Sequence, residues 1–122
     1  MKFPITPEEA AVFARDWIAA WNAQDLELIL SHYDDAVELT SPVAAQWLQT
    51  PEGRVIGKAD LRDYFQRGLE AFPQLRFELK TVFRGLRTVV LCYVNQKGTR
   101  TAEFMEFSAS GKVVRVIANY SV

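Results

Sequence analysis

Residues 88–120 read TVVLCYVNQKGTRTAEFMEFSASGKVVRVIANY, and their pattern decides the fold. Three β-rich runs, 88–94, 100–108 and 112–120, are parted by two turn words, Asn95-Gln96-Lys97-Gly98 and Ser110-Gly111. Just upstream, Leu75, Phe77 and Leu79 alternate with Arg76, Glu78 and Lys80, so a further strand is expected over 75–84. Connections this short make the four strands pair in sequence order as an antiparallel meander.

Before the meander the period is helical. Thr6-Pro7-Glu8-Glu9 carries a cap, a proline suited to the first helical position and an acid at capping-box spacing. Ala10, Phe13, Ala14, Trp17, Ile18 and Trp21 then form one stripe, ending near Asn22. Asp25 caps a shorter helix through Leu26, Ile29, Leu30 and Tyr33, with Asp34-Asp35 as its break. A strand is expected over 37–41, closed by Pro42. Residues 43–57 read as a long loop around Trp47, Pro51, Gly53 and Gly57, more mobile than the sheet. A third helix spans 58–72, with Leu61, Tyr64, Phe65, Leu69 and Phe72 on one side and Pro73 as its stop. The order α-α-β-α-β-β-β-β argues an α+β fold, helices packed on one face of a curved sheet that encloses a cone open at one end.

The chain has 122 residues, 49% of them hydrophobic and 24% charged. That length suits one domain over 1–122, burying roughly two-thirds of its unfolded surface. Fourteen Lys+Arg against fifteen Asp+Glu leave a net charge of −1, which supplies no electrostatic case for nucleic acid or an anionic membrane. The opening MKFPITPEEA lacks the apolar segment of a signal peptide. Cys92 is the one cysteine, so no internal disulfide and no cysteine metal cluster is expected, and the cytoplasm is the expected compartment.

The junction Trp21-Asn22-Ala23-Gln24-Asp25-Leu26 resembles the nuclear transport factor 2-like (NTF2-like) superfamily, and within it the SnoaL-like proteins. So do Tyr33-Asp34-Asp35-Ala36-Val37 leading to Ser41-Pro42, then Gly57-Lys58-Ala59-Asp60-Leu61, and Ser110-Gly111-Lys112-Val113-Val114. The resemblance covers nearly the whole chain. It implies a cystatin-like cone, three N-terminal helices on a mostly antiparallel sheet, with an internal pocket and often a homodimer through the outer face of the sheet. It does not imply one function.

Ketosteroid isomerases share this shape, and their three catalytic positions fall on Trp17, Ser41 and Glu103. Trp17 is a poor stand-in for an acidic tyrosine, and Ser41 cannot hold a proton taken from carbon. Only Glu103 retains an acid, so isomerase activity on steroids is not expected. The acid/base pair of the polyketide cyclases and the Asp-Arg-Asp set of the epoxide hydrolases find no match either.

Glu103 is nonetheless the leading catalytic candidate. In the run 101–107 it shares a strand face with Thr101, Met105 and Phe107. If Met105 and Phe107 line the cone, Glu103 points inward and its proton affinity rises as it loses water; an alternative keeps it inward but bonded to a tyrosine and chemically idle, and the opposite register puts Phe104 and Glu106 inside and Glu103 in a surface salt bridge. Tyr120 is in phase with Val116 and Ala118 and offers a hydroxyl near Glu103. His32, the single histidine, is a candidate proton shuttle at the cone mouth, or else a half-exposed residue near a helix end. Candidate ligand contacts are Trp17 and Ser41 as orienting donors, Trp47 as a lid or a hydrophobic plug, and Phe65, Met105 and Phe107 in the wall. No metal site or cofactor is expected.

Two functions stay open. One is a cofactor-free isomerase, cyclase or hydrolase, or a plain binder, taking a small and largely hydrophobic molecule. The other is a non-catalytic dimerisation or protein-association module. A homodimer is expected because Val90 and Val94 oppose Val89, Leu91 and Tyr93 on the same strand, leaving apolar residues on both faces of the sheet.

Overall fold

Helix α1 (Pro7–Asn22) starts where Thr6 and Glu9 cap each other. Thr6 Oγ1 accepts from the Glu9 amide at 3.1 Å, and the Thr6 amide donates to Glu9 Oε1 at 3.0 Å. Of the expected stripe, Ala10, Ala14, Trp17 and Trp21 are buried, joined by Ala20, while Phe13 and Ile18 are half-buried at its edges. Helix α2 (Leu26–Leu30) is capped by Asp25, whose Oδ1 accepts from the Leu28 amide at 3.1 Å. This is a computed structural model, and it describes residues 1–122.

Tyr33 is not in α2 but opens strand β1 (Tyr33–Thr40). The Asp34-Asp35 pair therefore lies inside a strand. It interrupts the ladder rather than the chain: Asp34 Oδ1 takes the Ala36 amide at 2.9 Å, and the register with the neighbouring strand shifts between Tyr33 and Glu38.

The expected loop over 43–57 is instead a helix and a strand. Helix α3 (Pro42–Leu48) begins at Ser41, whose Oγ accepts from the Val43 amide at 3.1 Å. Strand β2 (Arg54–Ile56) pairs antiparallel with β1. Gly53 makes the return possible. Its φ is +58°, and a Cβ there would stand 2.5 Å from the Ser41 carbonyl oxygen. Four helices, not three, thus precede or flank the sheet.

Helix α4 (Lys58–Ala71) follows, then strands β3 (Glu78–Arg84), β4 (Thr88–Val94), β5 (Arg100–Phe107) and β6 (Val113–Tyr120). Strand β3 begins three residues later than expected. Asn22 holds Phe77 on both sides, its Nδ2 donating to the Phe77 carbonyl at 2.9 Å and its Oδ1 accepting from the Phe77 amide at 2.7 Å. Gln24 Nε2 donates to the Pro73 carbonyl at 2.8 Å. The end of α1 thereby takes hydrogen bonds that a sheet ladder would otherwise use.

The six strands form one sheet in the order β2-β1-β6-β5-β4-β3. The four C-terminal strands pair antiparallel in sequence order, and β6 pairs parallel with β1. The core lies between the helices and the inner sheet face, where Val89, Leu91, Met105, Phe107, Val113 and Val116 are almost fully buried. No helix is long and apolar enough to cross a membrane.

Candidate active site

A cavity of about 290 Å³ opens between α3, α4 and the β4–β5 hairpin. Its volume is at the small end of the roughly 300–1,000 Å³ of small-molecule sites. Apolar and aromatic side chains dominate its wall, among them Trp21, Trp47, Phe65, Phe72 and Phe77. Glu103 is the one acidic group that lines it, and Lys97, in the exposed hairpin, is the one basic group.

The strand period places Glu103. On β5, Thr101, Met105 and Phe107 are buried and share its face, so the inward register is the correct one. Glu103 Oε1 accepts a 2.6 Å hydrogen bond from Tyr93 Oη. The two residues stand diagonally across β4 and β5, where Leu91 is paired with Glu103 and Tyr93 with Thr101. No other protein group bonds to the carboxyl, which leaves its second oxygen to the cavity. Loss of water pushes the Glu103 carboxyl up to about 7, and the hydrogen bond from Tyr93 offsets this only in part. Near neutral pH the group exists in both forms, as a general acid or base requires.

Tyrosines surround it. Tyr33 Oη accepts from Trp17 Nε1 at 3.0 Å, and Tyr33, Tyr64, Tyr93 and Tyr120 all line the cavity. Burial, with the nearby Glu103 charge, pushes Tyr120 up to about 12 and holds Tyr33, Tyr64 and Tyr93 above their ordinary value. They are hydrogen-bond donors, not bases. Two further polar atoms in the wall, Trp21 Nε1 and Thr101 Oγ1, are buried with no partner. A buried unpaired donor costs about 1–3 kcal/mol; the Trp21 indole lies beside the Tyr33 hydroxyl.

Of the residues expected at the site, Glu103, Tyr120, Ser41, Trp47 and Phe65 line the cavity. Trp47 sits on a helix, not a loop. It stacks on Phe72 with centroids 6.2 Å apart and planes at 16°, so it is a wall of the mouth. Trp17 lies one layer behind, bonded to Tyr33 and stacked on Phe77. Met105 and Phe107 face inward but sit deeper in the core, beyond the cavity; Phe107 packs edge-on against Phe13 at 4.9 Å.

His32 does not line this site, although its chain neighbour Tyr33 does. Its carbonyl accepts from the Val113 amide at the start of β6, whereas Ala118 and Tyr120 line the cavity. Five residues of strand separate Val113 from Ala118, about 16 Å. His32 packs against Phe13, and burial, with Lys112 nearby, holds its imidazole below the usual value. Sequence reasoning did not find Tyr33, Tyr64, Tyr93, Thr101 or Lys97. Tyr93 was hidden in the run TVVLCYV, where no polar residue marks a face. No three His, Cys, Asp or Glu side chains converge anywhere in the chain.

A meander closing a cone around a carboxyl group is the architecture of the NTF2-like, cystatin-like folds. The SnoaL-like domain family matches residues 14–120, and the chain belongs to it. A SnoaL-like protein of unknown function from Burkholderia thailandensis is 39% identical, over 98% of this chain and 99% of that one, with a TM-score of 0.94. A protein of unknown function with a cystatin-like fold from Methylobium petroleophilum is 14% identical over 98% and 80% of the two chains, with a TM-score of 0.76. An NTF2-like protein of unknown function from Cytophaga hutchinsonii is 13% identical over 99% and 95%, with a TM-score of 0.69. These last two share the fold. No curated protein matches the chain.

Proposed function

We propose that the protein binds a small, largely hydrophobic molecule in the cavity, and that Glu103 acts on it as a general acid–base group without a cofactor. The observation that carries this reading is the Glu103 carboxyl itself: one oxygen is bonded to Tyr93, the other is free, and the wall is aromatic. A carboxyl so placed exchanges a proton with a ligand carbonyl, enol or leaving group, while Tyr33 and Tyr120 offer hydroxyls to the oxygen on which charge develops. Proton transfers of this kind belong to isomerases, cyclases and hydrolases. The reaction on a steroid enone is not among the candidates, since Trp17 lies behind the wall and Ser41 Oγ caps α3.

The test is the titration of the Glu103 side-chain carbonyl carbon by NMR, in the presence and absence of a cavity ligand. A value near 7 that moves on binding supports the reading. A value at or below the ordinary 4.5, unmoved by any ligand that binds, overturns it in favour of a non-catalytic association module.

The outer sheet face supports a homodimer as a companion proposal. Phe83, Val90, Phe104 and Ile117 stand in cross-strand register over β3, β4, β5 and β6. Phe83 is 58% exposed. A continuous apolar row on a surface is what a second copy would cover.

A further inference from the structure

We propose that the molecule taken by the cavity is an amphipathic carboxylate, a compact ring body whose anionic end is held at the mouth by Lys97, the one cation that lines it. This deepens the reading above and rests on it. The charges of the cavity are divided between its ends. Glu103 is the third residue into β5 from Thr101 and lies in the inner wall; Lys97 is in the hairpin that precedes the strand. At about 3.3 Å per residue, the start of β5 at Arg100 lies about 10 Å from Glu103.

Lys97 is fixed in place. Asn95 Oδ1 accepts from the Lys97 and Thr99 amides, each at 3.0 Å, and the Asn95 amide donates to the Thr99 carbonyl at 3.0 Å. That turn holds Lys97 Nζ 4.5 Å from the centre of the Phe72 ring. Arg67 stands 4.8 Å over Trp47, the ring stacked on Phe72. Arg67 faces a separate surface pocket that it shares with Asp60 and Asp63, so Lys97 on Phe72 is the one cation of this mouth. Lys97 has no carboxylate partner among the ion pairs of the chain, so its ammonium is open to a ligand. An anion entering past the stacked Trp47 and Phe72 rings meets Lys97 at the rim and would meet the Glu103 carboxyl if it turned end for end. Electrostatics thus orients the ligand, presenting its apolar body and far-end oxygen to Glu103, Thr101 and Trp21.

The test compares 2-naphthoate with 2-naphthamide, which share shape and differ in charge, by titration calorimetry at low salt and pH 8. Shifts of the Trp21 and Trp47 indole N–H signals report whether each probe sits in the cavity. The expected result is that both shift these signals and naphthoate binds about tenfold more tightly. The advantage disappears in Lys97→Met and shrinks at about 0.5 M salt. Lys97 is exposed, so the variant folds; Arg67→Met, outside the cavity lining, keeps the advantage. Equal affinity of the two probes, or an advantage unchanged in Lys97→Met, overturns the carboxylate assignment while the cavity stands. If neither probe binds or neither moves the two indole signals, the cavity reading falls and this one with it.

Discussion

Trp17 Nε1 and Tyr33 Oη share a 3.0 Å hydrogen bond inside the core, and its direction sets the donors of the site. An indole N–H only donates. Tyr33 must accept, and its own proton is left for the cavity. Helix α1 and strand β1 are therefore joined by the bond that aims a hydroxyl at the ligand space.

Tyr33→Phe should cost about 1–3 kcal/mol of stability, because it leaves the Trp17 N–H buried without an acceptor. Urea unfolding of the two proteins measures this. A change below about 0.5 kcal/mol would mean that the indole finds another partner.

Glu103→Gln should alter the pH dependence of stability in a defined direction. The folded carboxyl, raised from 4.5 to about 7, binds its proton more tightly than the unfolded one. Unfolding therefore releases protons between those values, and stability falls as pH rises through that window. Below 4.5 the carboxyl costs nothing; above 7 the cost is full, up to about 3 kcal/mol at about 1.4 kcal/mol per tenfold change in proton affinity. The glutamine variant lacks this slope, so it should gain on the parent from pH 4.5 to 8. Parallel stability profiles of the two proteins would contradict the burial of the charge.

Gly53→Ala should destabilise by about 1–3 kcal/mol. The added carbon meets the Ser41 carbonyl, and the left-handed backbone suits alanine poorly. Because Ser41 starts α3, the same variant should loosen Trp47, seen as a red shift of its fluorescence along with a lower melting temperature.

A dimeric mass by light scattering at micromolar concentration is expected. Phe83→Glu should weaken the dimer at least about tenfold, or about 1.4 kcal/mol. A monomeric parent protein would remove the outer-face proposal.

Much of the fold was legible because local signals agreed. Thr6, Pro7 and Glu9 marked a helix start that the structure realises bond for bond. Glu103 could be faced inward because Met105 and Phe107 share its period. The misreadings have equally local causes. Ser41-Pro42 carries the same start signal as Thr6-Pro7, a capping hydroxyl followed by proline, but at the end of a strand it reads as a stop. Strand β2 has three residues, too few to display a period. Tyr33 falls three residues after Leu30, a helical spacing that the chain does not use. Depth was beyond the pattern altogether. A two-residue period tells that Glu103, Met105 and Phe107 face one way; only the curvature of the sheet decides that the cavity stops at the first of them.

The two ends of the cavity differ in how freely they can be rebuilt. Glu103 and Tyr93 belong to paired central strands, and changing their neighbours disturbs the ladder on both sides. Lys97 stands on an exposed hairpin tip, where it meets Phe72. Substitutions at that tip cost little in folding, because surface loops tolerate them. On the proposed function, selectivity and reactivity would reside in separate parts of the chain. A directed-evolution library confined to residues 96 and 97, with Asn95, Gly98 and Thr99 kept to hold the turn, would explore new ligands on an unchanged acid–base centre, whereas retuning the centre would require rebuilding the sheet around it.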